Sequence, residues 1–297
     1  MQIMQQIVGT GLSGLVGSRI VELLSSKFKF TNFDLSTGID ITNREKIEQK
    51  IFYSKSNSII HLAAFTDVDK AWQEKENKDG LCYKVNVVGT KNVAQACKSS
   101  HKYLIHISTD FVFDGKKSVQ YNESDKPHPI EWYGQTKLWA EEEVKKSGCK
   151  AVILRIAFPY GPKPFAKLDI VHRIIKKLKQ KENLNLFYDT VITPTFIDDI
   201  AEVVNYCLVN RPTGIYHCVG SSSISPYNLA SLVAQKFNFD KTLIKKASLA
   251  NLKGENLRPR QQYLDISNRK LESDFGIKML TIEDALEKIR THFFSNS

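Results

Sequence analysis

Short unbroken apolar runs alternate along the first half of the chain with longer stretches in which apolar residues recur at helical spacing. Gln6-Ile-Val-Gly9, Phe28 to Phe33, Ser58 to Ala64, Tyr103 to Ile107 and Lys150 to Ala157 read as strands. Ser18 to Leu24, Leu81 to Cys97 and a segment carrying Tyr133 and Lys137 read as helices between them. In the 81–97 stretch Val85, Val88, Val93 and Ala96 fall on one side, with Asn86 near its middle. Strands that are apolar on both faces and alternate with helices predict an α/β fold, a Rossmann-type doubly wound parallel sheet.

The texture changes after residue 158. Phe158-Pro-Tyr-Gly-Pro-Lys-Pro164 reads as a boundary loop. A basic amphipathic helix is expected around 169–181, a helix from Ile200 to Leu208 behind Thr193-Pro-Thr, and a strand over Gly214 to Val219. Further helices are expected from Pro226 to Phe237 and from Thr281 to Phe293, with an irregular basic segment over 257–265. No internal repeat is present.

The composition, 42% hydrophobic and 25% charged, is that of a globular chain, and no apolar run reaches membrane-spanning length. The five cysteines show no metal-type spacing, and a strand is expected almost from the first residue. Reduced thiols and a cytoplasmic location are therefore expected. The net charge of +10 favours an anionic partner. The lysines are spread along the chain among glutamates, so a small phosphorylated substrate is expected rather than nucleic acid, and no membrane.

Candidate chemistry begins at Thr10-Gly-Leu-Ser-Gly-Leu-Val-Gly17, after the first strand and at the start of a helix. That context suits a pyrophosphate cradle built from Gly11, Leu12, Ser13, Gly14, Leu15 and Val16. Asp34, roughly twenty residues further on, is placed to accept hydrogen bonds from an adenosine ribose. It favours NAD(H) over NADP(H), the latter being kept as the alternative cofactor. Asp40 and Ile41 follow in a loop that could reach the adenine. Leu62, Ala63 and Ala64 end the third strand, small enough to let a cofactor lie over the sheet edge. His61 and His106 sit inside strands and read as packed core residues. Tyr133 and Lys137 share one helix face at i and i+4, and the ammonium is expected to lower the phenol pKa for proton transfer. Thr109, at the end of the preceding strand, offers a hydroxyl to a substrate oxygen.

Together these stretches resemble an extended short-chain dehydrogenase/reductase. Within it they resemble the dTDP-4-dehydrorhamnose reductase group. The resemblance is carried by the glycine loop, His61 to Ala71, Asn86 to Asn92, Ser108 to Gly115, Tyr133 to Lys137, Leu154-Arg155 before Tyr160-Gly161, and Arg258-Pro-Arg260 before Leu264. It implies a Rossmann domain over 1–160, to which 195–220 returns, and a smaller C-terminal substrate-binding lobe over 161–194 and 221–297. It implies a Thr109–Tyr133–Lys137 triad, with Tyr133 and Lys137 also meeting the cofactor. It further implies a nucleotide-sugar site lined by Thr66, Val68, Thr109, Phe111 and Phe158. Arg258 and Arg260 are candidates for the diphosphate, since a planar guanidinium pairs with phosphate oxygens. Two positions depart from the family pattern: Trp72 follows Ala71 where a glutamate is usual, and Ile192 stands where a glycine is common.

The activity implied is reduction of a nucleotide-linked 4-keto-6-deoxy sugar, hydride going to C4 and a proton coming from Tyr133. Dehydration is disfavoured, because the Asp-Glu pair of related dehydratases is replaced here by Asp110-Phe111. The alternatives are an epimerase, or a non-catalytic cofactor-binding subunit resembling the methionine adenosyltransferase β-subunit. A homodimer is compatible with either.

Overall fold

The computed structural model describes residues 4–252, 254 and 256–295. By internal contacts the chain divides into two compact units. The first comprises residues 1–113, 126–155 and 201–216; the second comprises 114–125, 156–200 and 217–297.

The first unit is built on a six-stranded parallel sheet in the order β2-β1-β3-β4-β5-β9. Its strands are β1 (Gln5–Thr10), β2 (Phe28–Asn32), β3 (Ser58–His61), β4 (Tyr103–Thr109), β5 (Ala151–Ile156) and β9 (Gly214–His217). Every residue of β3 and β4 is buried, as expected of strands covered on both faces. The order reverses at β1, which pairs with β2 on one side and β3 on the other. A ligand crevice forms at such a switch point, outside the carboxyl ends of the strands.

The helices are α1 (Leu15–Leu24), α2 (Arg44–Tyr53), α3 (Val68–Gln73), α4 (Leu81–Tyr83), α5 (Thr90–Ser99) and α6 (Trp132–Ser147). The run expected as one helix over 81–97 is interrupted: Lys84–Gly89 form a π-helical turn between α4 and α5. Such wide turns accumulate at functional sites. Helices α2 and α3 were not anticipated. In α2 only Ile47 and Ile51 are buried, too few to stand out against its charges, and α3 spans only six residues. Val8, Ile47, Ile59, Val93, Leu104 and Ile153 are among the residues of one core cluster that joins sheet to helices.

The second unit holds β6 (Pro159–Tyr160) paired with β8 (Thr195–Phe196), and β7 (Leu184–Phe187) paired with β10 (Ile244–Ala247). Around them lie α7 (Ile170–Lys179), α9 (Pro226–Lys236), α10 (Arg269–Phe275) and α11 (Ile282–Ser295). Helix α8 (Ile197–Asn210) crosses from the second unit into the first at Ala201. The lysines of α7 lie opposite a buried face of Val171, Ile174, Ile175 and Leu178, which packs in the core of this unit. Its basic character is therefore that of an outer face. Among the described residues no helix is long and apolar enough to cross a membrane.

Candidate active site

The glycine loop leaves β1 at Thr10 and enters α1 at Leu15. Gly11 adopts φ +73°, and a Cβ there would stand 2.6 Å from the backbone nitrogen of Ala63. Only glycine meets both demands. Gly17 is equally constrained, since its Cβ would lie 2.6 Å from Cα of Leu12. Gly14 is the N-cap of α1 and no side chain caps that end, so the first N–H groups remain for an anion. These features fit a dinucleotide pyrophosphate.

Asp34 completes the cradle. Its Oδ2 accepts from Ser13 Oγ at 2.7 Å and Asn32 Nδ2 at 2.5 Å; its Oδ1 accepts from Ser36 N at 2.9 Å and Ser36 Oγ at 2.6 Å. Burial opposes the charge, but these donors outweigh it and bring the carboxyl pKa to about 2. Asp40 is exposed and closes a turn on Thr42. Ile41 is a core residue whose side chain packs against Gly89 and whose carbonyl accepts from Asn92. Leu62, Ala63 and Ala64 are half-buried just beyond β3, with Leu62 N donating to Thr10 O at 2.9 Å.

The expected triad assembles where β4 ends against α6. Lys137, buried, donates from Nζ to the carbonyl of Ile107 at 2.7 Å. Burial lowers its pKa to about 8, partly offset by Glu141 one turn on. The Thr109 hydroxyl reaches the Tyr133 phenol and also donates to Asp110 Oδ1 at 3.1 Å. Tyr133 stands edge-on to Phe111, ring centroids 6.0 Å apart. One expectation is overturned here: the Tyr133 pKa is raised, not lowered. Burial penalises the phenolate, and the Glu131 carboxylate adds to the penalty. Lys137 spends its charge on the Ile107 carbonyl instead.

Several supporting contacts could not be read from the sequence, although Asn86, Ser108 and Arg155 stand in its motifs. Glu131 caps α6, its carboxylate accepting from Tyr133 N at 2.8 Å and Gly134 N at 2.6 Å. Gly134 lets the Phe111 carbonyl approach so closely that a Cβ would lie 2.2 Å from it. Asn86, presented by the π-helical turn, accepts from Phe65 N at 2.8 Å and donates to Thr136 Oγ1 at 3.0 Å. Arg155 and Ser108 converge on Glu141. Arg155 carried a signal, because a guanidinium in an otherwise apolar strand requires a buried carboxylate. Glu131 carried none, since glutamate rarely caps a helix.

His61 and His106 are core residues as expected. His61 bonds Thr10 Oγ1 at 2.6 Å and Thr90 Oγ1 at 2.9 Å. Thr66 is exposed and Val68 half-buried at the start of α3; both belong with the triad to the first unit. Trp72 lies in the aromatic cluster around Trp132.

Phe158 and Arg258 belong to the second unit. Phe158 holds φ +39°, a strained value for a bulky residue of the kind that concentrates at functional sites. Arg258 is half-buried, and Arg260 lies over the Phe187 ring at 5.9 Å. Ile192 pairs through its backbone with Ile224.

A dinucleotide cradle beside a Thr-Tyr-Lys constellation on a Rossmann sheet marks an NAD(P)-dependent oxidoreductase of the extended short-chain dehydrogenase/reductase type. The chain belongs to the RmlD substrate binding domain family, whose description matches residues 4–294. It is 31% identical to the dTDP-4-dehydrorhamnose reductase of Aggregatibacter actinomycetemcomitans, over 97% of this chain and 99% of that protein. It is 30% identical to the "Probable low-salt glycan biosynthesis reductase Agl14" of Haloferax volcanii, over 96% and 97%. Its fold matches the crystal structure of Bacillus anthracis dTDP-4-dehydrorhamnose reductase in complex with NADP, with TM-score 0.88, 28% identity, and 99% and 100% of the two chains covered.

Proposed function

We propose that this protein reduces the C4 carbonyl of a nucleotide-linked 4-keto-6-deoxy sugar, with Tyr133 as the proton donor. The observation that carries the chemistry is the meeting of the Thr109 hydroxyl and the Tyr133 phenol beside a buried Lys137. The family membership and the names of its relatives support the substrate class. A bound nicotinamide dinucleotide supplies the hydride.

The chain's own residues do the rest. The raised Tyr133 pKa keeps the phenol protonated at neutral pH, which is the form a reductase needs before hydride arrives. Thr109 orients the carbonyl oxygen toward that proton. As negative charge develops on the oxygen, Tyr133 donates, and the Thr109 hydroxyl hydrogen-bonds the resulting phenolate. Thr66, Val68 and Phe111 line the sugar side in this reading.

The test is turnover of dTDP-, UDP- and GDP-linked 4-keto-6-deoxy sugars with NADH and with NADPH. Reduction of one member that Tyr133→Phe abolishes is the expected result. Tight cofactor binding with no turnover of any member would favour a binding subunit instead.

A further inference from the structure

Asp110 follows the triad threonine and opens a single 3-10 turn against α6. Its side chain is 2% exposed. Oδ1 meets the Thr109 hydroxyl at 3.1 Å, whereas Oδ2 is buried without a hydrogen-bond partner. An ionised carboxylate would pay heavily for an unsatisfied oxygen in that place. A protonated carboxyl pays far less, and it carries a hydrogen that Thr109 can accept. The groups facing it are Thr109 from β4, the backbone N–H groups of Asp110 and Phe111, which favour the carboxylate, and Glu131 and Tyr133 from α6 and its cap; burial outweighs the donors. Glu131 accepts from the backbone N–H groups of Tyr133 and Gly134, and its negative charge favours the protonated form of Asp110.

Thr109 thus lies between two acids. On one side its hydroxyl meets Asp110, on the other the Tyr133 phenol. We infer that Asp110 is a proton reservoir for Tyr133, delivering through the Thr109 hydroxyl. This inference rests on the reading of Tyr133 as the donor to the sugar.

The step balances without any further reactant than water. Tyr133 gives its phenolic proton to the C4 oxygen and becomes phenolate. Thr109 gives its hydroxyl proton to that phenolate and takes the carboxyl proton of Asp110 in the same movement. Asp110 ends as carboxylate and is reprotonated from water before the next turnover. Asp110 itself touches neither sugar nor cofactor; it acts through Thr109. Burial, the largest influence on it, holds the carboxyl pKa at about 7, so it is substantially protonated at neutral pH and able to reload.

Two measurements test this. The first needs no substrate: infrared difference spectra of the whole protein across pH 5 to 9, with Asp110→Asn as the assignment control. The expected result is a protonated-carboxyl band at low pH that fades near neutrality and is missing from the variant. A carboxylate already ionised at pH 5 would overturn the inference, whatever the enzyme's substrate proves to be. The second is the pH profile of kcat on the sugar that is turned over. Asp110→Asn preserves shape but has no transferable acid proton. It is expected to lower kcat about tenfold to a hundredfold, change KM little, and remove the fall in kcat on the alkaline side. A variant with the wild-type kcat and the wild-type profile would overturn the relay. If Asp110→Asn fails to fold, deuterium exchange at the carboxyl band in the wild-type protein replaces the control. A family panel with no turnover would count against the proposed function alone, and the infrared titration would still decide the state of Asp110.

Discussion

Glu141 receives both sides of the Arg155 guanidinium, from Nε to Oε1 at 2.8 Å and from Nη2 to Oε2 at 2.7 Å. Oε1 also accepts the Ser108 hydroxyl at 2.6 Å. One buried carboxylate therefore ties α6 to β5 and to the residue before Thr109. Both side chains are almost fully buried, at 2% and 0% exposure, so neither charge can turn to water if the other is removed. Breaking such a pair from one side costs about 3–5 kcal/mol. Glu141→Gln is expected to lower the urea midpoint accordingly and to reduce kcat through displacement of Thr109. An unchanged midpoint would mean that the pair is not coupled to folding.

The triad variants should differ in kind. Tyr133→Phe is expected to keep cofactor affinity and lose about a hundred- to ten-thousandfold in kcat. Lys137→Met should lose rate and also weaken cofactor binding, since its ammonium is held by the Ile107 carbonyl at the floor of the site. Thr109→Val should fall least in direct chemistry, although it also cuts the link from Asp110. Steady-state rates with fluorescence titration of cofactor separate these outcomes. A Tyr133→Phe enzyme at the wild-type rate would remove Tyr133 from the mechanism.

Glycine substitutions probe the two closest backbone approaches. Gly11→Ala must accept φ +73° and a contact of 2.6 Å with Ala63 N, so loss of cofactor binding is expected. Gly134→Ala meets the Phe111 carbonyl at 2.2 Å and should push α6 away from the 3-10 turn over 110–112, lowering kcat with cofactor affinity nearly retained. Calorimetric titration of cofactor distinguishes them. Equal cofactor affinity in Gly11→Ala and wild type would argue against the cradle.

Buried histidines set the acid limit of stability. Burial brings the His61 pKa down to about 3, and it lowers that of His106 as well, with Lys137 adding to both. Unfolded imidazoles take up protons below about 6.5, while the folded ones stay neutral. The stabilisation is complete above that pH and is lost as pH falls toward 3. Both ring nitrogens of His106 lack partners, so His106→Leu should be neutral or stabilising and should flatten the acid slope. Asp110 has the opposite sign. Its raised pKa contributes stability that is present at low pH and lost as pH rises through about 7. Its loss falls in the same window as the gain from the histidines, so urea midpoints should rise from pH 4 to about 7 and then level off, and the rise should be steeper in Asp110→Asn. A pH-independent midpoint in wild type would contradict both assignments.

Much of the first unit was legible because periodicity reports burial. Strands such as Ile59-Ile60 and Leu104-Ile105 are apolar on both faces, and a glycine loop between strand and helix has few other uses. The second unit was less legible: β7 and β10 are four residues long with polar outward positions, and α10 spans one short turn-rich stretch. Within the proposed site, Tyr133 and Lys137 stood out by their i, i+4 spacing and Thr109 by its place at the end of a strand. What spacing could not show was environment. The i, i+4 placement suggested an ammonium on the phenol, but Lys137 turns to a backbone carbonyl and burial decides the Tyr133 pKa. Asp110 was read only as the lack of a dehydratase pair, because nothing in a sequence reveals that one carboxyl oxygen will be buried without a partner.

Asp34 carries the last prediction, the choice of cofactor. Its pKa of about 2 keeps it fully charged at any working pH, so a ribose 2′-phosphate would face a fixed negative charge. At a separation of about 5 Å and an effective dielectric near 20, two unit charges repel by roughly 3 kcal/mol, and screening reduces this to about tenfold or more in affinity. NADH is therefore expected to bind more tightly than NADPH. A fold relative binds NADP, so the side chain and not the fold must make the difference. The four hydrogen bonds already on Asp34 sharpen the argument. To accept ribose hydroxyls, the carboxylate must give up the Ser13 or the Ser36 hydroxyl. Ser13→Ala should free one oxygen and improve NADH affinity modestly, whereas Asp34→Ser should weaken NADH and narrow the gap to NADPH. Fluorescence titration of both cofactors against the three proteins, at two salt concentrations, reads the result. A wild-type preference for NADPH that Asp34→Ser leaves unchanged would show that the ribose lies elsewhere.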